Sequence, residues 1–156
     1  MAVDIDLSDF RRLSRTVGKL GGLPQKCVTK AARKGGNLVL RAVRQKAPVN
    51  TGELKRGLRL KGEKSRIKGK KVYDIVFDAG MNDVFQKFIQ NPGEAGGKSK
   101  TAYYPASMEY GYFARNGRYI PGYHFMRGAA EESEGAAADI AVQVLSEEVE
   151  KEWSKP

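Results

Sequence analysis

The sequence predicts an α+β domain in which a small antiparallel β-sheet packs against a long, basic N-terminal helix and a C-terminal helix. Two segments, residues 24–46 and 123–153, repeat apolar side chains at helical spacing, and residues 54–79 alternate apolar and polar side chains as strands do. With 156 residues the chain has the length of a single domain, which we assign to residues 1–156.

An amphipathic helix is predicted at Ser8–Leu20. Serine is a residue type that caps a first helical turn, and Gly21 and Gly22 end the helical pattern. The apolar side chains recur at steps of three and four residues, as one helix face requires. They are Leu7, Phe10, Leu13, Val17 and Leu20.

The helix predicted at Pro24–Lys46 has a cationic face. Proline suits the first helical position, and apolar and small residues, including Gly35 and Gly36, share one arc. Glycines in the middle of a helix indicate that another backbone packs closely there. The opposite arc either binds phosphate or an acidic partner, or is a solvated surface. Its basic residues are Lys26, Lys30, Arg33, Lys34, Arg41 and Arg44.

A tight turn and a β-hairpin are predicted after the basic helix. Pro48 ends the helix, because the residue before a proline avoids helical dihedral angles. Leu54, Leu58 and Leu60 alternate with basic residues and are assigned to the first strand. Val72–Ala79 alternates in the same way and forms the second strand. We expect three or four strands in one sheet.

Two loops are expected to be flexible. Residues 61–71, between the two strands, are dense in lysine and arginine, with Gly69 at a turn that favours positive φ. Residues 90–101 are polar and rich in glycine. Residues 81–89 are predicted as a short helix or an irregular insert.

The last helix is predicted from Tyr123 to Trp153. The apolar stripe of its first half rotates in its second half, and one straight helix cannot press both stripes onto one core. The second stripe is therefore expected to face something else, such as a neighbouring subunit, and Gly135 marks the position of a bend. That stripe contains Val142, Leu145, Val149 and Trp153.

Residues 110–123 are rich in aromatic side chains and lie near Arg115 and Arg118. Such a composition serves either for stacking on nucleic-acid bases or for a core-closing loop or subunit interface. The sequence favours the second interpretation.

Composition excludes several classes of protein. One cysteine, Cys27, and one histidine, His124, provide neither an internal disulfide nor a structural zinc site, and no catalytic motif is present. We therefore expect no enzyme activity, no cofactor and no metal. No apolar run is long enough for a membrane span, and the acidic N-terminus is unlike a signal peptide, so a soluble protein made in the cytoplasm is expected.

Charge is distributed asymmetrically along the chain. Residues 1–72 have 20 basic and five acidic residues, for a net charge of +15, whereas residues 131–156 have two basic and eight acidic residues, for −6. The basic half attracts nucleic acid, pairs with the acidic helix of another copy, or is simply a solvated surface.

Three segments, in this order, resemble motifs of a known family: KAPVNTGEL at 46–54, YPASMEYG at 104–111 and FMRGA at 125–129. The pattern is similar to the tail-component family of long-tailed bacteriophages typified by gene product ten of phage HK97. Members read A-P-x-x-T-G-x-L, then Y-x-x-x-V-E-x-G-T, then P-F-[ML]-R-P-A. The resemblance extends over residues 10–150. This sequence departs from the pattern at Tyr112, His124 and Gly128.

The resemblance implies a structural protein of the virion neck, assembled in the bacterial cytoplasm. Its role would be tail completion, or head–tail joining, as a ring of copies, expected to be a hexamer, at the head-proximal end of the tail. Its partners would be itself and adjacent neck and tail proteins, namely a head-completion or stopper protein and the tail terminator or tail tube. Contact with DNA in the lumen stays open. The alternatives are a tail terminator that caps the tube and a non-specific nucleic-acid-binding module.

Nine motif residues are expected to have structural roles. Pro48 and Gly52 would frame a turn, within which Thr51 bonds the backbone. Glu109 would accept a charge-assisted hydrogen bond from a nearby arginine, with Arg115, Arg118 and Arg127 as the available donors, and would have no catalytic function. The motif residues are Pro48, Thr51, Gly52, Leu54, Glu109, Gly111, Phe125, Met126 and Arg127.

A second set of residues is expected at contacts with other copies or neck proteins, where basic residues of one partner meet the acidic helix of the next. These residues are Lys26, Lys30, Arg33, Arg41, Arg44, Glu147, Glu148, Glu150 and Trp153.

Overall fold

A computed structural model describes residues 25–64, 66–89, 100–114 and 116–154. Of residues 88, 89, 100 and 101 it describes the backbone only. The helix predicted at Ser8–Leu20 lies outside the described residues. The described helices are α1 (Gln25–Lys46), α2 (Glu53–Gly57), a 3-10 turn (Ala79–Met81), α3 (Asn82–Phe85), α4 (Tyr104–Tyr110) and α5 (Phe125–Trp153). The strands are β1 (Leu58–Gly62), β2 (Tyr73–Phe77), β3 (Gln86–Ile89), β4 (Lys100–Tyr103), β5 (Gly111–Phe113) and β6 (Tyr119–Pro121).

The two long helices predicted from the sequence lie side by side and antiparallel. Lys30, near the start of α1, contacts Glu148 near the end of α5, and Lys46 at the end of α1 contacts Glu132 near the start of α5. A Cβ on Gly35 would lie 2.8 Å from the carbonyl oxygen of Ala137. The predicted close approach of a second backbone to this glycine is therefore confirmed.

The hydrophobic core lies where the C-terminal half of α1 meets the start of α5 and the residues that follow the turn. Cys27, Ala31, Gly35, Leu40 and Val43 are buried at helical spacing along α1. The core cluster comprises Leu40, Val43, Ala47, Leu54, Leu58, Phe125 and Ala129. A second aromatic group, Phe77, Phe85 and Tyr103, packs edge to face with ring centroids 5.5–6.4 Å apart.

The expected sheet of three or four strands is wrong for the described residues. They form three separate two-stranded antiparallel pairs, β1 with β2, β3 with β4 and β5 with β6. In the first pair, Leu58 lies opposite Phe77 and Gly62 opposite Tyr73. Helical turns interrupt the chain between these short hairpins, so each hairpin pairs only with itself.

One local prediction also needs correction. Leu54 lies in α2 and not in a strand, because the chain forms a helical turn after Gly52, whose carbonyl accepts from the amide of Arg56. The side chains of Leu54 and of Leu58, the first residue of β1, are both buried. Residues 81–89 were predicted as a short helix or an irregular insert, and the first alternative is confirmed by α3, which lies between the 3-10 turn and strand β3.

Other local predictions are confirmed. Gly69 has a φ of 79°, and the side chain of Gln25 holds this turn by donating to the carbonyl of Lys70 and accepting from the amide of Gly69. The last helix is continuous through Gly135 and begins at Phe125, two residues later than predicted. Within the described residues, no helix combines the length and the hydrophobicity needed to cross a bilayer.

Candidate functional site

The carboxylate of Glu109 caps the N-terminus of α5. It is 5% exposed, accepts hydrogen bonds from the backbone amides of Met126 (2.9 Å) and Arg127 (3.1 Å), and reaches them from α4. These amides belong to the first turn of α5, where backbone N–H groups have no partner within the helix. A carboxylate is favoured there both as an acceptor and by the helix dipole. No closer side chain does this, since His124 at the cap position makes no capping bond.

The backbone joins the second and third motifs as well. The amide of Tyr123 donates to the carbonyl of Met108 (2.8 Å), and the amide of His124 donates to the carbonyl of Glu109 (3.1 Å). A Cβ on Gly122 would overlap that same carbonyl. Gly111, with a φ of 86°, turns the chain immediately after α4. The motifs at 104–111 and 125–129 therefore form one junction.

The predicted structural role of Glu109 thus has different donors from those expected. Among the described residues, its partners are backbone amides, and no guanidinium group bonds it. The guanidinium of Arg127 instead pairs with Glu131, Nε to Oε1 at 2.8 Å, and this carboxylate raises the pKa of Arg127. Arg115 lies outside the described residues, and Arg118 is exposed.

The first motif directs the chain from α1 into the core. Gly52 precedes α2 with a φ of 79°, and its carbonyl accepts from the amide of Arg56 at 3.1 Å. Thr51 donates to the carboxylate of Glu53 (2.9 Å) and not to the backbone as expected. Leu54 is buried and Pro48 half-buried. This turn positions α2 and β1 beneath α1.

Phe125 and Met126 anchor the start of α5. Phe125 is buried in the core cluster with Val43 and Leu58, and Met126 packs against that cluster. With Glu109 holding the amides of the same turn, the entry of α5 is fixed by apolar contacts and by hydrogen bonds.

Three residues predicted at contacts between copies have partners within one chain. Lys30 Nζ lies 2.6 Å from Glu148 Oε1, and Lys151 Nζ lies 3.1 Å from the same oxygen. Glu148 is nearly buried, and Lys30, followed by Lys151, lowers its pKa. Arg44 donates through Nη2 to the carbonyl of Leu58 (2.7 Å). Lys30, Arg44 and Glu148 therefore serve the fold of the monomer.

The remaining basic residues of that set, together with Lys34, form an exposed surface on α1, which we call the cationic face: Lys26, Arg33, Lys34 and Arg41. No ion pair within the described part of the chain involves them. A groove of about 380 Å³ lies along this face. Its lining includes Lys34, Asn37, Arg41 and Arg44 of α1 and Ile140 of α5.

On α5, three exposed acidic residues of the second half of the helix border one groove and form a second surface, the acidic ridge: Asp139, Glu147 and Glu150. With Val142, Gln143 and Ser146 they border a shallow groove of about 460 Å³. Val142 is 68% exposed and Trp153 is 51% exposed. The apolar stripe of the second half of α5 is thus incompletely covered in the described structure.

The aromatic residues at 110–123 do not close the core. Tyr110, Phe113 and Tyr123 are exposed, with Phe113 at 75%. The hairpin β5–β6 is held by a tilted contact between the rings of Phe113 and Tyr119, 5.2 Å apart, and by the Tyr119 hydroxyl, which donates to the carbonyl of Tyr110 (2.7 Å). Of the two parts of the favoured interpretation, the core-closing loop is wrong, and a subunit interface stays a prediction.

Sequence reasoning missed two features. The ion pair of Lys46 with Glu132 links the end of α1 to the start of α5. Phe85 is fully buried, and its ring leaves no room for a Cβ on Gly57. The spacing of these pairs along the chain, 86 and 28 residues, carries no periodic signal. Among the described residues, no cluster of His, Cys, Asp and Glu could hold a metal ion.

Comparison with known proteins yields one match. Residues 11–91, which are 81 of the 156 residues, match the family model described as "Bacteriophage HK97-gp10, putative tail-component". The match includes the turn motif at 46–54 and ends before the motifs at 104–111 and 125–129. Comparisons with curated proteins and with solved structures find no match.

Proposed function

Because the chain belongs to the HK97-gp10 family of bacteriophage tail components, we propose that it is a tail completion protein, which joins the head to the tail. In this proposal it assembles as a ring, most simply a hexamer, at the head-proximal end of the tail. It acts by binding further copies and adjacent neck and tail proteins, and it transforms no substrate.

The observation that supports a ring is the placement of two surfaces of opposite charge on different helices. The cationic face lies on α1 and the acidic ridge on α5, and both are exposed. A contact between the basic surface of one copy and the acidic surface of the next uses two different patches. Such a head-to-tail contact leaves both patches open at the ends of a chain of copies, and it closes only as a ring.

The ion pairs formed within one chain reduce the number of residues available for the proposed contact between copies. Lys30 and Glu148 are satisfied by each other and are removed from the proposed contact. Arg33 and Arg41 on one side and Glu147 and Glu150 on the other remain exposed. Trp153 stays exposed at the end of α5 and remains in the proposed contact.

A charge-swap experiment tests this contact. The Glu147→Lys/Glu150→Lys variant and the Arg33→Glu/Arg41→Glu variant should each fail to complement head–tail joining in a phage that lacks the protein. A mixture of the two variants, or the quadruple variant, should recover joining, because opposite charges meet again. The measurement is the yield of joined particles by electron microscopy and plaque assay.

The matched control reverses two exposed acids outside both surfaces, Asp83→Lys with Glu134→Lys. This control should assemble as the native protein does. Normal joining by the Glu147→Lys/Glu150→Lys variant, or failure of the swap to recover joining while all variants fold, would contradict the proposed contact.

A tail terminator remains the second role within the family, and the same deletion phage separates the two roles. A terminator stops tube growth, so its absence should give tails of uncontrolled length. Absence of a completion protein should give tails of normal length that do not join heads. We expect the second result.

Non-specific nucleic-acid binding is the second candidate class, and the cationic face is the observation that favours it. Its four exposed basic residues would neutralise the phosphates of a nucleic acid bound along the groove beside them. Binding of this kind weakens linearly in the logarithm of salt concentration. A titration of labelled duplex DNA at several salt concentrations, with the Arg33→Glu/Arg41→Glu variant, measures it.

A further inference from the structure

We propose that the loop between β1 and β2 binds the phosphate backbone of duplex DNA without regard to base sequence. Four side chains of this loop are basic and exposed, and we call them the basic loop: Lys64, Arg66, Lys68 and Lys70. They are distinct from the residues of the cationic face. DNA binding by the basic loop does not depend on the proposed contact between copies.

The charge of the basic loop is not neutralised within the described part of the chain. None of its four side chains forms an ion pair there. Residues 63–71 contain five basic residues and one acidic residue, Glu63. The fifth basic residue, Lys71, serves the hairpin itself, because its Nζ donates to the backbone carbonyl of Glu63 and lies 5.5 Å from the centre of the Tyr73 ring. Exposed charges of one sign in so short a segment attract an anionic partner.

Hydrogen bonds hold this loop against the start of α1. The side chain of Gln25 donates to the carbonyl of Lys70 and accepts from the amide of Gly69, both at 2.9 Å. Lys26, the next residue along α1, is exposed and belongs to the cationic face. The basic loop and the start of that face are therefore neighbours. A loop that is already held loses less conformational freedom on binding, which favours affinity.

The amount of charge favours DNA over the acidic ridge of another copy. The basic loop and the cationic face have four exposed basic residues each, eight in all, whereas the acidic ridge has three acidic residues. From Lys26 to Arg41, α1 alone extends over about 22 Å. Duplex DNA presents one negative charge per about 1.7 Å of its axis, or about 13 charges over that length. A duplex thus supplies enough anionic groups for both basic surfaces, and three carboxylates do not.

The composition of the loop favours duplex DNA over a single strand. Proteins that bind single strands combine basic residues with aromatic side chains on which the bases stack. Residues 63–71 contain no aromatic residue. Contacts with phosphates are therefore the contacts that this segment can make. Because phosphate contacts carry no sequence information, we expect binding without sequence preference.

Fluorescence anisotropy of a labelled duplex of mixed sequence, titrated with the full-length chain at several salt concentrations, tests the proposal. The logarithm of the binding constant should fall linearly with the logarithm of the salt concentration, by about 0.9 per phosphate contact. The Lys64→Gln/Lys68→Gln variant loses two contacts. Its slope should be smaller by about 2, and its affinity at about 0.1 M salt should be about tenfold or more weaker. Its far-UV circular dichroism should match that of the native chain, because both side chains are exposed.

The matched control is Arg56→Gln/Lys87→Gln, which removes the same two positive charges at exposed positions outside the basic loop and the cationic face. Its slope and its affinity should be close to those of the native chain. Equal losses of affinity in the control and in Lys64→Gln/Lys68→Gln would show that binding follows the net charge and not the loop, and would overturn the proposal.

Three other results would also overturn it. The first is a native slope and affinity in Lys64→Gln/Lys68→Gln. The second is tighter binding of a labelled single strand than of the duplex. The third is binding of labelled poly-L-glutamate as tight as that of the duplex, with the same loss in the loop variant, because the loop would then be a site for acidic proteins. Head–tail joining is measured separately by complementation, so failure of DNA binding and failure of the proposed function are distinguishable.

Discussion

Replacement of Glu109 by glutamine should destabilise the protein out of proportion to the single atom changed. Glutamine keeps one acceptor oxygen but loses the charge and turns an NH₂ group toward one of the two amides, at Met126 or Arg127, that the carboxylate now satisfies. The site is buried, so water cannot replace the lost acceptor. One hydrogen bond is lost outright, and the attraction between a negative charge and the start of α5 is lost as well.

The magnitude follows from those two losses. A hydrogen bond to a charged group contributes about 1.5–3 kcal/mol, and the charge–dipole attraction falls partly within that figure, so Glu109→Gln should cost about 2–3 kcal/mol. At about 2–4 °C per kcal/mol for a chain of this size, the thermal midpoint should fall by about 4–12 °C. Glu109→Ala removes both acceptors and leaves a cavity, for about 3–5 kcal/mol.

The assay is urea unfolding followed by far-UV circular dichroism, with the free energy of unfolding taken from midpoints at a common slope. Glu131→Gln is the control, because it also neutralises a carboxylate beside the first turn of α5, but an exposed one. Exposed ion pairs contribute little. Equal free energies of unfolding for Glu109→Gln and Glu131→Gln would refute the conclusion that Glu109 fixes the start of α5.

Two further predictions concern the contact of α1 with α5. Gly35→Ala should destabilise the protein by up to about 2 kcal/mol, because the clash of the new Cβ with the carbonyl of Ala137 exceeds the gain in helix propensity. Gly135→Ala should instead stabilise it by about 0.5–1 kcal/mol, because a Cβ there meets nothing within 4 Å. Chemical unfolding of both variants measures the opposite signs, and a stabilised Gly35→Ala variant would contradict the close approach. Glu148 has a pKa lowered from 4.5, chiefly by Lys30, so its contribution is fully present above about pH 5 and disappears as the pH falls through the folded-state pKa. The difference in stability between the native chain and Glu148→Gln should therefore be constant near pH 7 and shrink below pH 4.5, and a difference that grows on acidification would contradict the pairing.

The two long helices and the hairpin could be predicted because their signals are periodic and local. The helix predicted at Pro24–Lys46 is described over Gln25–Lys46, and its glycines indicated the close contact that Gly35 makes with α5. The positive φ of Gly69 followed from turn chemistry in the same way. Burial of one helix face, or a turn with positive φ, restricts the residue types at neighbouring positions in the chain. Such features can therefore be predicted from the sequence.

The sequence alone could not distinguish the residues of the two candidate surfaces from charged residues that pair within the molecule. Lys30 and Arg33 both lie on the cationic arc of α1, yet Lys30 meets Glu148 and Arg33 is exposed. Which of two neighbouring cations meets an acid depends on how the second helix crosses the first. Likewise, Glu109 has the same sequence context whether its donors are guanidinium groups or amides 17 and 18 residues further along the chain.

By itself, the sequence determined the class of this protein: a basic helix, an acidic terminal helix and the family of phage tail components to which the chain belongs. Only the tertiary structure decided which charges pair within the molecule and which are exposed. The reason is that periodicity and composition act over one or two helical turns. Ion pairs, caps and close backbone contacts, in contrast, depend on the positions of residues that are brought together from distant parts of the chain.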